Sequence, residues 1–187
     1  MPFNIISQEN LDIGTLLIEA RAFTDSRGYF VELYKKSDFK KMGLRENFVQ
    51  DNMSYSKKGV LRGLHYQLNP KAQGKLVTCL MGEVMDVVVD IRRGSPNFGK
   101  WKSYILNEKN KYFVYVPEGF AHGFLTLSED ALFLYKCTNE YSPENEGSII
   151  WNDPDLDIRW GIKKPILAEK DLKNPLFKDC IANFVYE

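Results

Sequence analysis

A mainly β fold, a sandwich or barrel with only a few short helices, is predicted by three observations. Short apolar segments rich in Val, Ile, Phe and Tyr recur between clusters of Gly, Pro, Asn and Asp. Residues 84–91 alternate with a period of two, the spacing of a strand. Signals that start or stop a helix are scarce along the whole chain.

Residues 14–19 and 29–34 are the first two strand-like runs. A short helix is predicted over 37–43, with Ser37 placed to accept the orphan N–H groups, Phe39 and Met42 on one face, and Gly43 closing the end. Strands follow at 75–80 and 83–91. In the latter, Met85, Val87, Val89 and Ile91 share a face, and Asp86 and Asp90 on the other are expected to meet a wet barrel interior. Runs at 102–106, 112–116, 123–127 and 131–137 complete the strand set, and a second helical patch is predicted at 168–172. Asn69-Pro70, Ser95-Pro96-Asn97 and Asn152-Asp153-Pro154 are turns, and no repeat or linker divides the chain, so residues 1–187 are expected to form a single domain.

The chain of 187 residues is long enough for one well-buried core. Lys plus Arg equal Asp plus Glu at 25 each, so no global field draws it to nucleic acid or an anionic membrane, and an anionic ligand must be held by local cations. Cys79, Cys137 and Cys180 are odd in number and lack disulfide or zinc spacing, which fits a reducing compartment and buried thiols. Residues 1–6 do not form a basic region followed by an apolar run, and no segment approaches membrane-spanning length. A cytoplasmic location is expected.

The chemistry concentrates around the two histidines. His65, in Leu61-Arg62-Gly63-Leu64-His65-Tyr66-Gln67, lies a short hairpin's length from Lys75 in Gly74-Lys75-Leu76. An imidazole suits proton transfer at neutral pH, and an ammonium suits a developing oxyanion, so the pair points to chemistry on an acidic C–H beside a carbonyl. His122 lies in Pro117-Glu118-Gly119-Phe120-Ala121-His122-Gly123-Phe124 and follows a glycine-bearing turn, as His65 does.

Motifs along the chain carry a family resemblance. Asp25-x-Arg27-Gly28-x-Phe30-x-Glu32, Gln50-Asp51-Asn52, the segments around His65, Lys75 and His122, Tyr135-Lys136, Tyr141-Ser142-Pro143, Glu146-Gly147 and Trp151-Asn152-Asp153 occur in order between about Arg21 and Asp171. In this order they resemble the dTDP-4-dehydrorhamnose 3,5-epimerase family. The resemblance implies a cupin-type jelly roll, usually a homodimer, and a reaction that needs no cofactor and no metal. The implied substrate is dTDP-4-dehydro-6-deoxy-D-glucose, a dTDP-4-keto-6-deoxy sugar whose C4 ketone acidifies the hydrogens on C3 and C5. Inverting both centres gives dTDP-4-dehydro-L-rhamnose, a precursor of rhamnose-containing surface polysaccharide.

By the same resemblance His65 is the base, Tyr135 the acid on the opposite face, and Asp171 the carboxylate that orients His65. The residues alone leave Asp86 and Asp90 equally open as that partner. Lys75 is implied to hold the C4 enolate, a role in which one lost donor costs roughly 3 to 4 kcal/mol of barrier. Arg62, Arg27 and Lys170 are implied to meet the diphosphate or its neighbourhood, and Tyr141 to stack on thymine. Glu32, Gln50, Asp51, Asn52, His122 and Glu146 complete the implied contact set, with Arg27 and Glu32 reaching a neighbouring subunit's site.

Structural readings stand beside these. His122 can bond a turn carbonyl, Tyr135 shares a stripe with Phe133 and Cys137, Tyr141 is a loop aromatic, Arg27 is a turn charge, and Asp171 can cap a helix. Alternative functions are an epimerase acting at C3 or C5 alone, a silent sugar-nucleotide binder, and a metal-dependent cupin oxygenase. The last is disfavoured because Tyr66 and Gln67, and no second histidine, follow His65, and because His122 lies far along the chain.

Overall fold

The structure, a computed structural model, describes residues 1–6, 13–44 and 46–186. Its strands are β1 (Phe3–Ile6), β2 (Leu16–Ala20), β3 (Ala22–Asp25), β4 (Gly28–Val31), β5 (Gln50–Lys57), β6 (Leu61–Gln67) and β7 (Lys75–Met81). They continue as β8 (Glu83–Asp90), β9 (Trp101–Asn107), β10 (Tyr112–Val116), β11 (Phe120–Thr126), β12 (Asp130–Cys137) and β13 (Glu146–Ser148). One α-helix, α1 (Lys36–Lys41), lies between β4 and β5 among the described residues. Every apolar run predicted from the sequence overlaps one of these strands.

All pairings between these strands are antiparallel. Six strands form a sheet in the order β1-β2-β10-β7-β12-β5, five form a second in the order β13-β6-β11-β8-β9, and β3 and β4 make a separate hairpin. Neighbours far apart in sequence, such as β5 beside β12 and β6 beside β11, are the mark of a jelly roll. No helix among the described residues is long and apolar enough to cross a membrane.

Both faces of each sheet are covered for part of their area. Between the sheets, Val77 and Cys79 of β7 meet Val84 and Val88 of β8, together with Phe124 and Phe133, whose rings stack at 4.3 Å. Behind the five-stranded sheet, Val87, Val89, Ile91, Tyr66 and Leu125 pack under Ile149, Leu156, Trp160 and Phe184 of the C-terminal segment. Behind the six-stranded sheet, Ile18, Leu76 and Phe113 pack under Phe39 of α1. Each large apolar side chain so buried contributes roughly 1.5–3 kcal/mol.

This layering revises the expectation for β8. The alternation is as predicted, but the apolar face packs beneath the C-terminal segment, and Asp86 and Asp90 are fully buried. Asp90 meets no wet interior: it accepts bonds from Arg92 Nε and Nη2 and from Ser95 Oγ. Ser37 does not cap α1, which begins one residue earlier with Lys35 at its N-cap and no side-chain cap bond. The buried polar residue of that turn is Asp38, flanked by Lys35 and Lys41 at 3.6 Å each. Gly43 ends the turn as expected, with φ of 95°. The helical patch at 168–172 is instead a single 3₁₀ turn over Asp171–Lys173.

One irregularity positions the site. His65 pairs with His122 and Arg62 with Phe124, so two residues of β6 stand opposite the single Gly123 of β11. Residues three apart on a regular strand face opposite ways; the bulge lets Arg62 and His65 line the same cavity. It requires close strand approach, because a Cβ on Gly123 would stand 2.6 Å from the Arg62 carbonyl oxygen and 3.1 Å from the Gly63 Cα. Gly123→Ala is therefore expected to cost about 1–3 kcal/mol, or several degrees of Tm, and to lower activity by shifting Arg62 and His65. A melting temperature and turnover equal to the parent's would show that the strands can separate freely.

Candidate active site

A cavity of about 610 Å³ opens between the sheets. Its walls carry Arg62, His65 and Gln67 from β6, His122 and Phe124 from β11, Lys75 from β7, Phe133 and Tyr135 from β12, and Gln50, Asn52 and Ser54 from β5. Tyr141, Glu146 and a strap containing residues 166–171 add to the lining. The strap is pinned where Ile166 bonds through its N–H to Gly59 O and through its carbonyl to Leu61 N.

His65 Nε2 donates to Asp171 Oδ1 at 2.6 Å, which leaves Nδ1 as the nitrogen with the lone pair. Of the three carboxylates that the residues alone left open, Asp171, the one the resemblance implies, takes this position, delivered by the strap across 106 residues of chain. It is 2% exposed and also faces Asn174 Nδ2 at 3.4 Å. Burial alone would raise its carboxyl, but bonding and charge from His65, aided by Asn174 and Lys170, hold it below the usual aspartate range. It makes no helix cap.

A carboxyl depressed by folding contributes stability that is present above the unfolded value, near pH 4, and lost as pH falls through the folded one. Asp171→Asn should flatten the acid limb of the parent's Tm profile and lower turnover on the order of 100-fold, by freeing the imidazole. Parallel acid melts for parent and variant, with unchanged turnover, would remove Asp171 from both roles.

Lys75 and Tyr135 come from adjacent strands of the opposite sheet. Lys75 pairs in register with Cys137 and Tyr135 with Val77, so all four side chains share the inner face. Burial pushes the Lys75 amine below the ordinary lysine range, opposed by Cys137, Asp86 and Glu146. Burial and Cys137 raise the Tyr135 phenol, against Arg62 and Lys170, so it carries its proton at neutral pH. Tyr135 does lie on the Phe133 stripe, and it also lines the cavity.

Near the mouth, Glu146 joins two groups from different segments: Lys170 Nζ donates to Oε1 at 2.7 Å and Tyr141 OH to Oε2 at 3.1 Å. Burial would raise Glu146, but Lys170 and Tyr141 outweigh it and hold it low. Arg62 is steadied by Ser56 Oγ at 3.0 Å. Gln50 anchors the Tyr141 backbone N–H at 2.8 Å and Gln67 that of Ser142 at 2.8 Å.

Three of the expected site residues are not brought to this cavity. Asp51 alternates outward on β5, away from Gln50 and Asn52, and pairs with Lys136 at 2.6 Å. Arg27 sits at the tip of the β3–β4 hairpin, its side chain 88% exposed and paired with Asp25, and Glu32 follows the same hairpin. His122 bonds no turn carbonyl; its Nε2 donates to Asp86 Oδ2 at 2.7 Å. Separation along the chain also proves a poor argument against a shared histidine site, since His65 and His122 are cross-strand partners. Each Nε2 is engaged by its own carboxylate, and the described residues contain no group of three His, Cys, Asp or Glu side chains arranged to hold a metal ion.

Sequence reasoning missed Ser54, Gln67, Gln73, Phe124, Phe133 and residues 166–168 as lining groups. Alternation from Gln50 and Asn52 points to Ser54, and alternation from His65 to Gln67; the strap residues carry no comparable signal.

Comparison with known proteins identifies the family and the fold. Residues 11–179 match the family model described as dTDP-4-dehydrorhamnose 3,5-epimerase. The chain is 49% identical over 177 residues to the dTDP-4-dehydrorhamnose 3,5-epimerase of Shigella flexneri, covering 94% of this chain and 97% of that one. The crystal structure of dTDP-6-deoxy-D-glucose-3,5-epimerase from Legionella pneumophila, in complex with dTDP-4-keto-L-rhamnose, superposes with a TM-score of 0.89 at 46% identity, covering 95% and 94% of the two chains. A 3′-monoepimerase from Streptomyces bikiniensis in complex with dTDP-quinovose gives 0.83 at 34% identity, covering 88% and 84%. The chain belongs to the dTDP-4-dehydrorhamnose 3,5-epimerase family.

Proposed function

We propose that the protein is a dTDP-4-dehydrorhamnose 3,5-epimerase, an isomerase that converts dTDP-4-dehydro-6-deoxy-D-glucose into dTDP-4-dehydro-L-rhamnose without a cofactor. The observation that carries the reaction is the placement of His65 and Tyr135 on opposite sheets of one cavity. His65 Nδ1 removes the proton on C3 or C5 from one face, the Lys75 ammonium receives the charge that develops on the C4 oxygen, and the Tyr135 hydroxyl delivers a proton to the other face. Asp171 holds the imidazole tautomer and stabilises the imidazolium formed on abstraction.

Arg62 and Lys170 meet the diphosphate, and Tyr141 gives an aromatic face for thymine beside Glu146. Gln50, Asn52 and His122 supply the remaining polar contacts. The chain acts as a single cupin-type unit and as a homodimer in the cytoplasm. The hairpin favours the dimer: it stands as its own two-stranded sheet with Phe23, Tyr29 and Phe30 exposed, which suits a surface that carries Arg27 and Glu32 to a neighbour's cavity. Asp51 supports the site from outside through Lys136.

The test is incubation with dTDP-4-dehydro-6-deoxy-D-glucose in deuterated water, coupled to a 4-ketoreductase with NADPH, with deuterium located by NMR. Label at both C3 and C5 of dTDP-L-rhamnose is the expected result. Label at one carbon makes the protein a single-centre epimerase, the activity of the Streptomyces neighbour. Stoichiometric iron or manganese, lost together with activity on chelation, would overturn the cofactor-free reading in favour of a metal-dependent cupin.

A further inference from the structure

Behind His122 lies a carboxylate that the reaction scheme leaves unused. Asp86 is fully buried on β8 and does not line the cavity. Its Oδ2 accepts the Nε2–H of His122, and its Oδ1 is buried without a hydrogen-bond donor among the described residues. An anionic oxygen in that state is costly unless a positive charge compensates it.

Lys75 shows the complementary deficit. It is 9% exposed, its side chain reaches the cavity, and no protein group among the described residues hydrogen-bonds or ion-pairs with its amine. Three acidic groups favour its charge across space: Cys137, Asp86 and Glu146. The Cys137 thiol is raised by burial and is uncharged at neutral pH. Glu146 is engaged at the mouth by Lys170 and Tyr141. The imidazoles of His65 and His122 are tied to carboxylates, while Arg62 and Lys170 are cations that disfavour a further one. Asp86 is left as the counter-charge not already engaged by a cation.

We propose that Asp86 is a positioning residue of this epimerase, acting on the substrate's surroundings through His122 and through the buried ammonium of Lys75. With Nε2–H of His122 held from behind, Nδ1 is left to accept a hydrogen bond from a sugar hydroxyl. The negative charge behind the wall keeps Lys75 an ammonium where burial favours the neutral amine, so the C4 oxygen meets a full positive charge as the enolate forms. The proposal rests on the epimerase reading and adds a group that never touches the substrate.

The test uses Asp86→Asn, which keeps an oxygen acceptor for His122 and removes the charge, assayed over pH with the parent alongside. The expected result is a loss of kcat of about tenfold or more at neutral pH with little change in KM, and an alkaline limb moved at least about one unit toward lower pH. Asp86→Glu, which restores the charge, should return that limb toward the parent's position. In a Lys75→Met background, Asp86→Asn should add little further loss, because the two substitutions remove one interaction. An alkaline limb that stays in place, or losses that multiply in the double variant, would overturn the proposal. Should the asparagine variant not fold, Asp86→Ser, with room for water, is read against the same outcomes. A parent that exchanges neither C3 nor C5 sinks the epimerase reading and this proposal together; an active parent with an unmoved Asp86→Asn profile sinks this one alone.

Discussion

His65→Ala is expected to abolish solvent exchange at both C3 and C5, with a fall on the order of 10²- to 10⁴-fold in each, because one oriented imidazole serves both carbons. No other group in the cavity matches it. Lys75 is a cation donor, Tyr135 is protonated at neutral pH, and His122, though held by Asp86 much as His65 is held by Asp171, is the more deeply buried imidazole, its side chain 8% exposed against 26%. The imidazole is partly exposed and packs in no apolar cluster, so its loss should leave the fold close to intact. Proton NMR in deuterated water reads the exchange, and a thermal melt checks the fold. Exchange near the parent rate in a folded variant would move the base elsewhere, with His122 the first candidate.

Tyr135→Phe should separate two events that the parent couples. In the proposed reaction abstraction needs His65 and Lys75, both intact in this variant, so exchange should persist, because His65 can return a solvent-derived proton to the face it came from. Inversion needs a donor on the opposite sheet and should fall on the order of 10²-fold or more. The substitution removes one hydroxyl and keeps the ring against Phe133, so packing changes little. Deuterium incorporated with retained configuration, measured beside product formation, is the expected signature. Complete loss of both events in a folded protein would mean that Tyr135 is needed before the enolate forms.

The apolar half of the architecture is legible in the sequence. The strands from β7 to β12 are each marked by a Val-, Ile- or aromatic-rich run bounded by turn residues: β7, β8, β10, β11 and β12 are central in their sheets, and β9, at an edge, buries Tyr104 and Leu106 in alternation. Among the strands that escaped notice, β5 and β6 are the ones the site draws on most. β5 reads Gln-Asp-Asn-Met-Ser-Tyr-Ser-Lys because it is an edge strand with one face lining a polar cavity and the other outside. β6 carries Gly63 and a bulge, so Arg62 and His65 break the period of two.

For the site, the order and identity of the motifs by themselves determined the family and the residue types: an imidazole, an ammonium, a phenol and a carboxylate. Residue type and spacing left the carboxylate partners open, and the resemblance implied Asp171 for His65; the tertiary structure makes that pairing and adds Asp86 for His122. Asp171 is 106 residues from His65 and Asp86 is 36 from His122, and no local spacing links either pair. The pairings arise because β11 lies between β6 and β8 in one sheet, which sets Asp86 beside His122, and because the C-terminal strap closes over His65. Tertiary structure likewise turned Asp51 outward and set Arg27 and Glu32 on a separate hairpin, because strand alternation and sheet membership decide which side chains face a cavity. The distinction is physical: residue type and period are local properties of a chain, whereas the partner of a buried charge is set by the strand order in which the sheets close.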